Sequence, residues 1–414
     1  MSFMNGFRGL LRHRNYRLLV GGSTVSALGG SIAPVALAFA VLDLGGSATE
    51  LGLVVAAFAL AEVMTVLFGG VLGDRLPRQV MMQGSSAAAF LTQGVVAVAL
   101  IGGWASIPML TVMGVLNGCL GALAGPSSSA MTRQTVAEAD LPRAVAGRRL
   151  SQNAAMVLGF SLAGVLVSAF GSGWAIAIDA ATYLVAALCF GLIRVPAMPA
   201  PEARASILGD MRAGAAEVFR HTWLWLLIGQ ALLYHLFFGG AQSVLGPIVV
   251  GDGLGRSAWG WALAALMGGF IVGGLVSLRW QPRHGLFVGT AMLSLTAAFP
   301  FAMALTDHLT LLLLGAFVHG FGLEIFSVNW DLSIQQNVAE DKLARVYSFD
   351  LVGSFVARPL GLAFTGPVAA AVGFDRWLVV VGVVMGGSAL LSLLFPSVQR
   401  LERRTGPSHQ VLPV

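Results

Sequence analysis

Charge is scarce in this chain. Only 10% of its 414 residues are Asp, Glu, Lys or Arg, where a soluble globular protein carries about 25%. A surface that poor in charge cannot face water throughout. The two or three soluble domains that the length would allow are thereby excluded. Cysteine is scarcer still: Cys119 and Cys189 are the only two. Both fall inside apolar runs, with neither disulfide nor metal spacing, and read as small packing residues. The seven histidines are scattered without metal spacing. No Gly-x-x-x-x-Gly-Lys-Ser/Thr loop is present to cradle a phosphate, so direct ATP coupling has no visible basis and an ion gradient is the expected energy source. No enzyme constellation stands out, and no cofactor or metal is expected.

Apolar residues make up the difference, at 57% of the chain with a mean hydropathy of +0.82. They recur in segments of about 20 residues along the whole length, as helices crossing a hydrocarbon core require. The expected fold is an all-α polytopic membrane protein. A net charge of +5 and a pI near 9.9 raise the question of nucleic acid binding. The bases are spread over short connections and collected on no single face, so nucleic acid is not an expected partner.

Read in order, the apolar runs give twelve spans. Six precede the middle: Tyr16–Leu42, Leu51–Gly73, Val80–Gly102, Ile107–Thr132, Ala154–Phe170 and Trp174–Ile193. Six follow it: Trp223–Val250, Ala258–Trp280, Gly285–Leu305, Leu309–Trp330, Tyr347–Ala371 and Trp377–Phe395. The first is too long for a cleavable signal and lacks a small-residue cleavage site, so it is expected to stay in the protein. The expected organisation is an N-terminal six-helix bundle at 1–193, a central loop at 194–222, a second bundle at 223–396 and a tail at 397–414. Within the central loop Pro196, Pro199 and Pro201 precede Ile207–Phe219, expected as a helix lying on the membrane surface.

The basic residues set the orientation. Of the 24 Lys and Arg, only Arg256 and Arg376 fall in odd-to-even connections, and Arg358 lies within a span. The others occupy the tails, the even-to-odd connections or, as Arg17 and Arg279 do, the span ends that adjoin them, including a basic loop after the fourth span with Arg133, Arg143, Arg148 and Arg149. Both termini are therefore expected in the cytoplasm, with the protein in the inner or plasma membrane. The halves also show weak internal similarity. Gly159, Gly164 and Gly171 correspond at one offset to Gly361, Gly366 and Gly373. Gly69, Gly70 and Arg75 correspond at a slightly longer one to Gly273, Gly274 and Arg279. Two pseudo-symmetric bundles facing a central cavity are expected.

An ionisable residue within a span is costly and is a functional candidate for that reason. Glu62 lies near the middle of the second span, amid Phe58-Ala59-Leu60-Ala61 and Val63-Met64. It is a candidate for proton or substrate handling, the alternative being a structural carboxylate, protonated or paired with a polar group on a neighbouring helix. Arg358, beside Pro359 in the eleventh span, cannot shed its proton and needs a carboxylate, a substrate anion or water. Glu324 is the nearest acid in the adjacent hairpin, at a depth differing by roughly 9 Å. The two readings are an Arg358–Glu324 pair and a coupling role. Asp179 is placed near the outer end of the sixth span, interfacial or structural, with proton or substrate handling as the functional alternative. Asp43 is a similar outer helix end. Asp331 and Asp350 are solvated helix ends or gate partners for Arg345. Among other polar residues within spans, Asn117, Gln230, Gln242, His235, His319 and Asn329, some are expected to line the cavity.

The stretch Gly69-Gly70-Val71-Leu72-Gly73-Asp74-Arg75-Leu76-Pro77-Arg78 joins the second and third spans through a tight, charged turn. It resembles the signature loop of the major facilitator superfamily, Gly-x-Leu-Ala-Asp-Arg-x-Gly-Arg-Arg, with Gly70, Leu72, Asp74, Arg75 and Arg78 matching. Pro77 replaces the usual glycine and Gln79 a frequent second base. Asn15-Tyr16-Arg17, Ser47-Ala48-Thr49-Glu50-Leu51-Gly52 and Ile178-Asp179-Ala180 are similar to the branch of bacterial exporters that includes macrolide efflux proteins and the enterobactin exporter. The resemblance covers nearly the whole chain. It implies that Asp74 ties its loop to the end of the fourth span, where Arg133 is the natural partner, and to the start of the eleventh, stabilising an outward-open state. Two features frequent in drug antiporters are absent. The run Leu110 to Ala130 holds no arginine, and Gly159 is followed by Phe160 rather than proline.

These readings converge on a secondary active transporter working by alternating access as a monomer. It is expected to export an amphipathic small molecule (a drug, antibiotic, siderophore or other secondary metabolite) by proton antiport through Glu62 or another buried acid. An importer or uncoupled facilitator of the same fold is the alternative. A scaffold that has lost transport would need neither the Asp74 loop nor acids within spans. A lipid-modifying enzyme would need an interfacial catalytic cluster, and none is visible.

Overall fold

The computed structural model describes residues 9–68, 77–195 and 207–403. The expected loop residues Gly70, Asp74 and Arg75 lie outside these, and Arg78 opens the helix that follows. Among the described residues twelve helices are long and apolar enough to cross a membrane, and there are no strands. In a solvent without hydrogen-bonding partners, helices satisfy their own backbone, which is why apolar runs of this length fold this way.

The spans are α1 Arg14–Asp43, α2 Ala48–Phe68, α3 Arg78–Ile101, α4 Ile107–Thr135, α5 Leu141–Phe170 and α6 Ser172–Gly191. The second set is α7 Thr222–Gly253, α8 Arg256–Arg279, α9 Gly285–Leu305 and α10 Leu309–Asn337, then α11 and α12 Phe374–Ser392. α11 is broken into Glu340–Phe355 and Arg358–Val372. A linker helix, Ile207–Arg220, joins the sets.

Each set packs as a bundle in the same pattern. α1 lies against α5 and α6, as α7 lies against α11 and α12. α2 lies against α4 as α8 does against α10. The repeated glycines occupy equivalent places. Gly159 lets α5 approach Leu28 of α1, and Gly361 lets α11 approach Leu236 of α7. Gly171 and Gly373, with φ of 84° and 99°, turn the chain from α5 into α6 and from α11 into α12. A side chain there would be strained, so glycine is required.

The bundles meet through α5 against α8 and α2 against α11. These contacts concentrate on the face opposite the one where α1 begins and α12 ends. We call the latter the terminal face. Gly164 of α5 abuts the backbone of Arg256 and Ser257 at the start of α8. Gly366 of α11 abuts Ala48 and Thr49 at the start of α2. One apolar core runs through both bundles on that side, from Phe39, Leu51 and Val96 to Val244, Trp259 and Leu362. Towards the terminal face the core divides. Leu19, Met82 and Phe190 pack within the first bundle, and Trp223, Leu286 and Trp330 within the second.

Three departures from the sequence reading matter for the site. α5 begins at Leu141, with Pro142 in its first turn. Arg143, Arg148 and Arg149, expected in a loop, are therefore helical. Pro359, which lacks a backbone N–H, follows the break in α11 and leaves Arg358 at the head of a new segment. Within α7 the helix widens into a π turn over Ala241–Leu245, a distortion often found at functional sites.

Candidate functional site

Where the bundles separate, a cavity of about 310 Å³ lies between them. Its wall is mainly apolar, with Val35, Phe58, Leu110 and Met113 from the first bundle and Trp259 and Leu263 from the second. Its polar groups are few: Gln93, Asn117, Tyr183, Gln242, Ser243 and Arg358. The α7 distortion presents Gln242 and Ser243, and the α11 break presents Arg358. Asn117, Gly121 and Tyr183 also line a second chamber of about 440 Å³ inside the first bundle. That chamber extends to Arg148 and Arg149 on the terminal side of α5.

Arg358 does not pair with Glu324. Its Nη1 lies 3.8 Å from Oε2 of Glu62, so the ion pair runs between bundles, α2 to α11. The depth difference between α10 and α11 separates the two expected partners, whereas α2 packs on α11 at the level of the break. Both groups of the observed pair are roughly two-fifths exposed, which keeps the pair open to solvent or a ligand. Glu324 stands instead against Gly273 and Gly274 of α8. Arg149, across the mouth, is within electrostatic reach of both Glu324 and Asp331.

Asp179 is not interfacial. It is fully buried, about two turns into α6, packed against α1 where Gly29 leaves room. Gln93 of α3 donates to its Oδ2 at 2.8 Å, while Oδ1 has no hydrogen-bond partner. Asp350 accepts from Trp330 Nε1 at 3.1 Å and from Ser354 at 3.2 Å, an arrangement within the second bundle. His319 is buried, its Nε2 2.8 Å from the Tyr234 hydroxyl, and lines neither chamber. Arg133 is exposed near the end of α4.

On the opposite face, Asp43 closes the structure. Arg256 at the head of α8 donates to both of its oxygens, one bond measuring 3.0 Å, and Ser172 donates at 3.0 Å. The Arg256 guanidinium also lies over the Phe39 ring, 5.0 Å from its centroid. Arg256, one of two bases that broke the charge asymmetry, is thus part of an inter-bundle clasp. Cavity, clasp and divided terminal core together describe a molecule sealed on one face and parted towards the other.

The Major Facilitator Superfamily model matches residues 19–362. The chain belongs to the Major Facilitator Superfamily. Among its relatives is the multidrug efflux pump Tap of Mycolicibacterium fortuitum, 25% identical over 94% of this chain and 98% of the relative. An uncharacterised MFS-type transporter of Bacillus subtilis, YfiS, is 24% identical over 91% of this chain and 92% of its own. Macrolide efflux protein A of Streptococcus pyogenes is 23% identical over 94% and 99%. Of solved structures, a bacterial homologue of the lysosomal transporter Spinster, in an inward-facing and unoccupied conformation, aligns with TM-score 0.73 and 16% identity over 96% of this chain and 99% of that one. The nucleoside transporter NupG aligns at 0.72 and 14% over 92% and 97%. The protein is a multi-pass membrane transporter and not an enzyme.

Residues that sequence reasoning passed over include Arg148, Gln93 and Tyr183. Arg148 was legible in part, because Pro142 marks a helix start that places it inside the helix. Gln93 and Tyr183 carried no signal, since only the packing of α3 and α6 turns them inward.

Proposed function

We propose that this transporter exports amphipathic small molecules from the cytoplasm by alternating access, coupled to proton entry. The observation that carries this reading is the central cavity, apolar over most of its wall, with the Glu62–Arg358 pair spanning the two bundles beside it. Such a wall takes varied apolar bodies, and a few polar groups orient them. The efflux relatives support the direction, and the basic residues on the terminal face support a cytoplasmic location for it in the plasma membrane. The protein works as a monomer, its two units at 1–193 and 223–396 rocking about the cavity.

In this mechanism a proton reaching Glu62 removes the negative partner of Arg358 and weakens the α2–α11 contact. Asp179, which unlike Glu62 is fully buried, is a second acid able to hold a proton. Arg149 and the acids Glu324 and Asp331 draw together when the terminal face closes. The loop with Gly70, Asp74, Arg75 and Arg78 stabilises that closed-inside state, with Arg133 as the partner of Asp74.

The test is accumulation of lipophilic dyes and antibiotics in expressing cells, with and without a protonophore. Lower accumulation, abolished by the protonophore and by Glu62→Gln at normal expression, is the expected result. Proton-driven efflux that survives Glu62→Gln removes Glu62 from the mechanism. Inward movement in oriented vesicles replaces export by import.

A further inference from the structure

Among the described residues, Arg148 is a cation without an acid partner. It is 6% exposed, inside the first bundle between α1, α3, α4 and α6. Its Nη1 donates to Ser128 at 3.2 Å, and its Nε has no hydrogen-bond partner. Arg149, which repels it, and Tyr16 lie within electrostatic reach of it; the Tyr16 hydroxyl donates to the Ala144 carbonyl. Among the described residues, the chamber that Arg148 lines contains two arginines and no carboxylate. A buried, unpaired guanidinium costs several kcal/mol unless a counter-charge compensates it. The rest of the wall is rich in hydroxyl donors: Ser23, Ser26, Ser85, Ser86 and Ser128 all face the same space. Donors and positive charge without an acceptor of negative charge form a site for an anion.

We infer that this chamber binds the acidic group of the transported molecule, a carboxylate held by Arg148 and the surrounding serines while its apolar body occupies the adjoining central cavity. The inference rests on the export reading for the route, and it narrows the cargo to amphipathic acids. The two spaces join at Asn117, Gly121 and Tyr183, so a single molecule spans them. The planar guanidinium suits a carboxylate, which it binds through two parallel hydrogen bonds. Arg149, at the rim, adds charge on the entry path. Its reach towards Glu324 and Asp331 gives it a partner once the chamber empties.

The experiment uses the full-length protein in phosphatidylcholine nanodiscs and two probes of the same shape, 1-naphthylacetate and its neutral amide. Binding is measured by calorimetry at fixed pH and salt. The acid is expected to bind about tenfold or more tightly than the amide, the ratio expected of one charge-assisted contact. Arg148→Gln is expected to bring the ratio close to one. Arg148→Lys retains part of the preference. Ser86→Asp, which puts a carboxylate in the chamber, is expected to abolish acid binding even if Arg148→Gln fails to fold. Equal affinities in the wild type, no binding of either probe, or an acid preference that survives Arg148→Gln would each overturn the assignment. Loss of naphthylacetate binding in phosphatidylglycerol nanodiscs would assign the site to an anionic lipid headgroup and overturn it as well. Dye efflux measured in parallel separates the two readings. Efflux without acid preference sinks only the anion site, whereas acid binding without efflux sinks only the export reading.

Discussion

Asp43 shows how much one side chain at a helix end decides. By sequence it is a solvated carboxylate terminating α1. In the structure it accepts hydrogen bonds from Arg256 and Ser172 and so ties α1 to α8 and α6. Partly exposed ion pairs contribute at most about 1 kcal/mol, which is enough to bias an equilibrium between two open states about fivefold. Asp43→Asn is therefore expected to raise the population open on the opposite face two- to fivefold. The check is the rate at which a membrane-impermeant maleimide, applied from that face, modifies a cysteine replacing the cavity residue Val35. Cys119 and Cys189 are changed to serine in the background. An unchanged rate would remove Asp43 from the clasp. Arg358 and Asp179 carry the same lesson: a charge within a span announced itself in the sequence, but its partner did not. Partner choice depends on the relative depth of helices, which span limits good to a few residues cannot supply.

Among elements, the linker helix gives the clearest pH signature. Its Glu217 receives a 2.9 Å hydrogen bond from Lys342 at the start of α11. Phe219 meets Phe349 edge-on at 6.2 Å. The Lys342 hydrogen bond and charge, with a smaller contribution from Arg220, hold the Glu217 carboxyl below its usual range. A depressed carboxylate stabilises docking fully above the free value of about 4.3 and loses that contribution as pH falls through the lower, docked value. The protection factors of amides in 207–220, which remove the intrinsic pH dependence of exchange, should stay high from neutral pH down to about 5 and fall below about 4. In Lys342→Met protection should already be lower at neutral pH. Protection factors independent of pH in the wild type would refute the coupling. The sequence announced this helix by its amphipathic pattern, and its docking surface is a tertiary fact. The start of α5 and the break in α11 both sit at prolines, and were readable from Pro142 and Pro359.

For the whole molecule, the symmetry of the inter-bundle contacts makes the strongest prediction. A Cβ on Gly366 would sit 2.7 Å from the Thr49 Cα, and one on Gly164 would sit 2.8 Å from the Ser257 Cα. Backbone cannot yield there without parting the bundles. Gly164→Val and Gly366→Val should each penalise the sealed face by about 1–3 kcal/mol. Spin labels at the ends of α1 and α8 on that face are expected to move apart in both variants, and labels on the terminal ends of α5 and α10 to approach. Distances unchanged from wild type would show that these glycines do not control closure. The sequence by itself determined that the chain crosses a membrane twelve times, in two related halves, with its basic residues biased to one side. Those properties follow from local apolarity, length and charge, which act on each segment before any segment meets another. Tertiary structure alone decided which face is sealed, that Glu62 and not Glu324 meets Arg358, and that Arg148 is buried with no acid beside it among the described residues. These depend on how helices distant in sequence register against one another, and that register is set by close backbone contact at a few glycines whose partners no local pattern specifies.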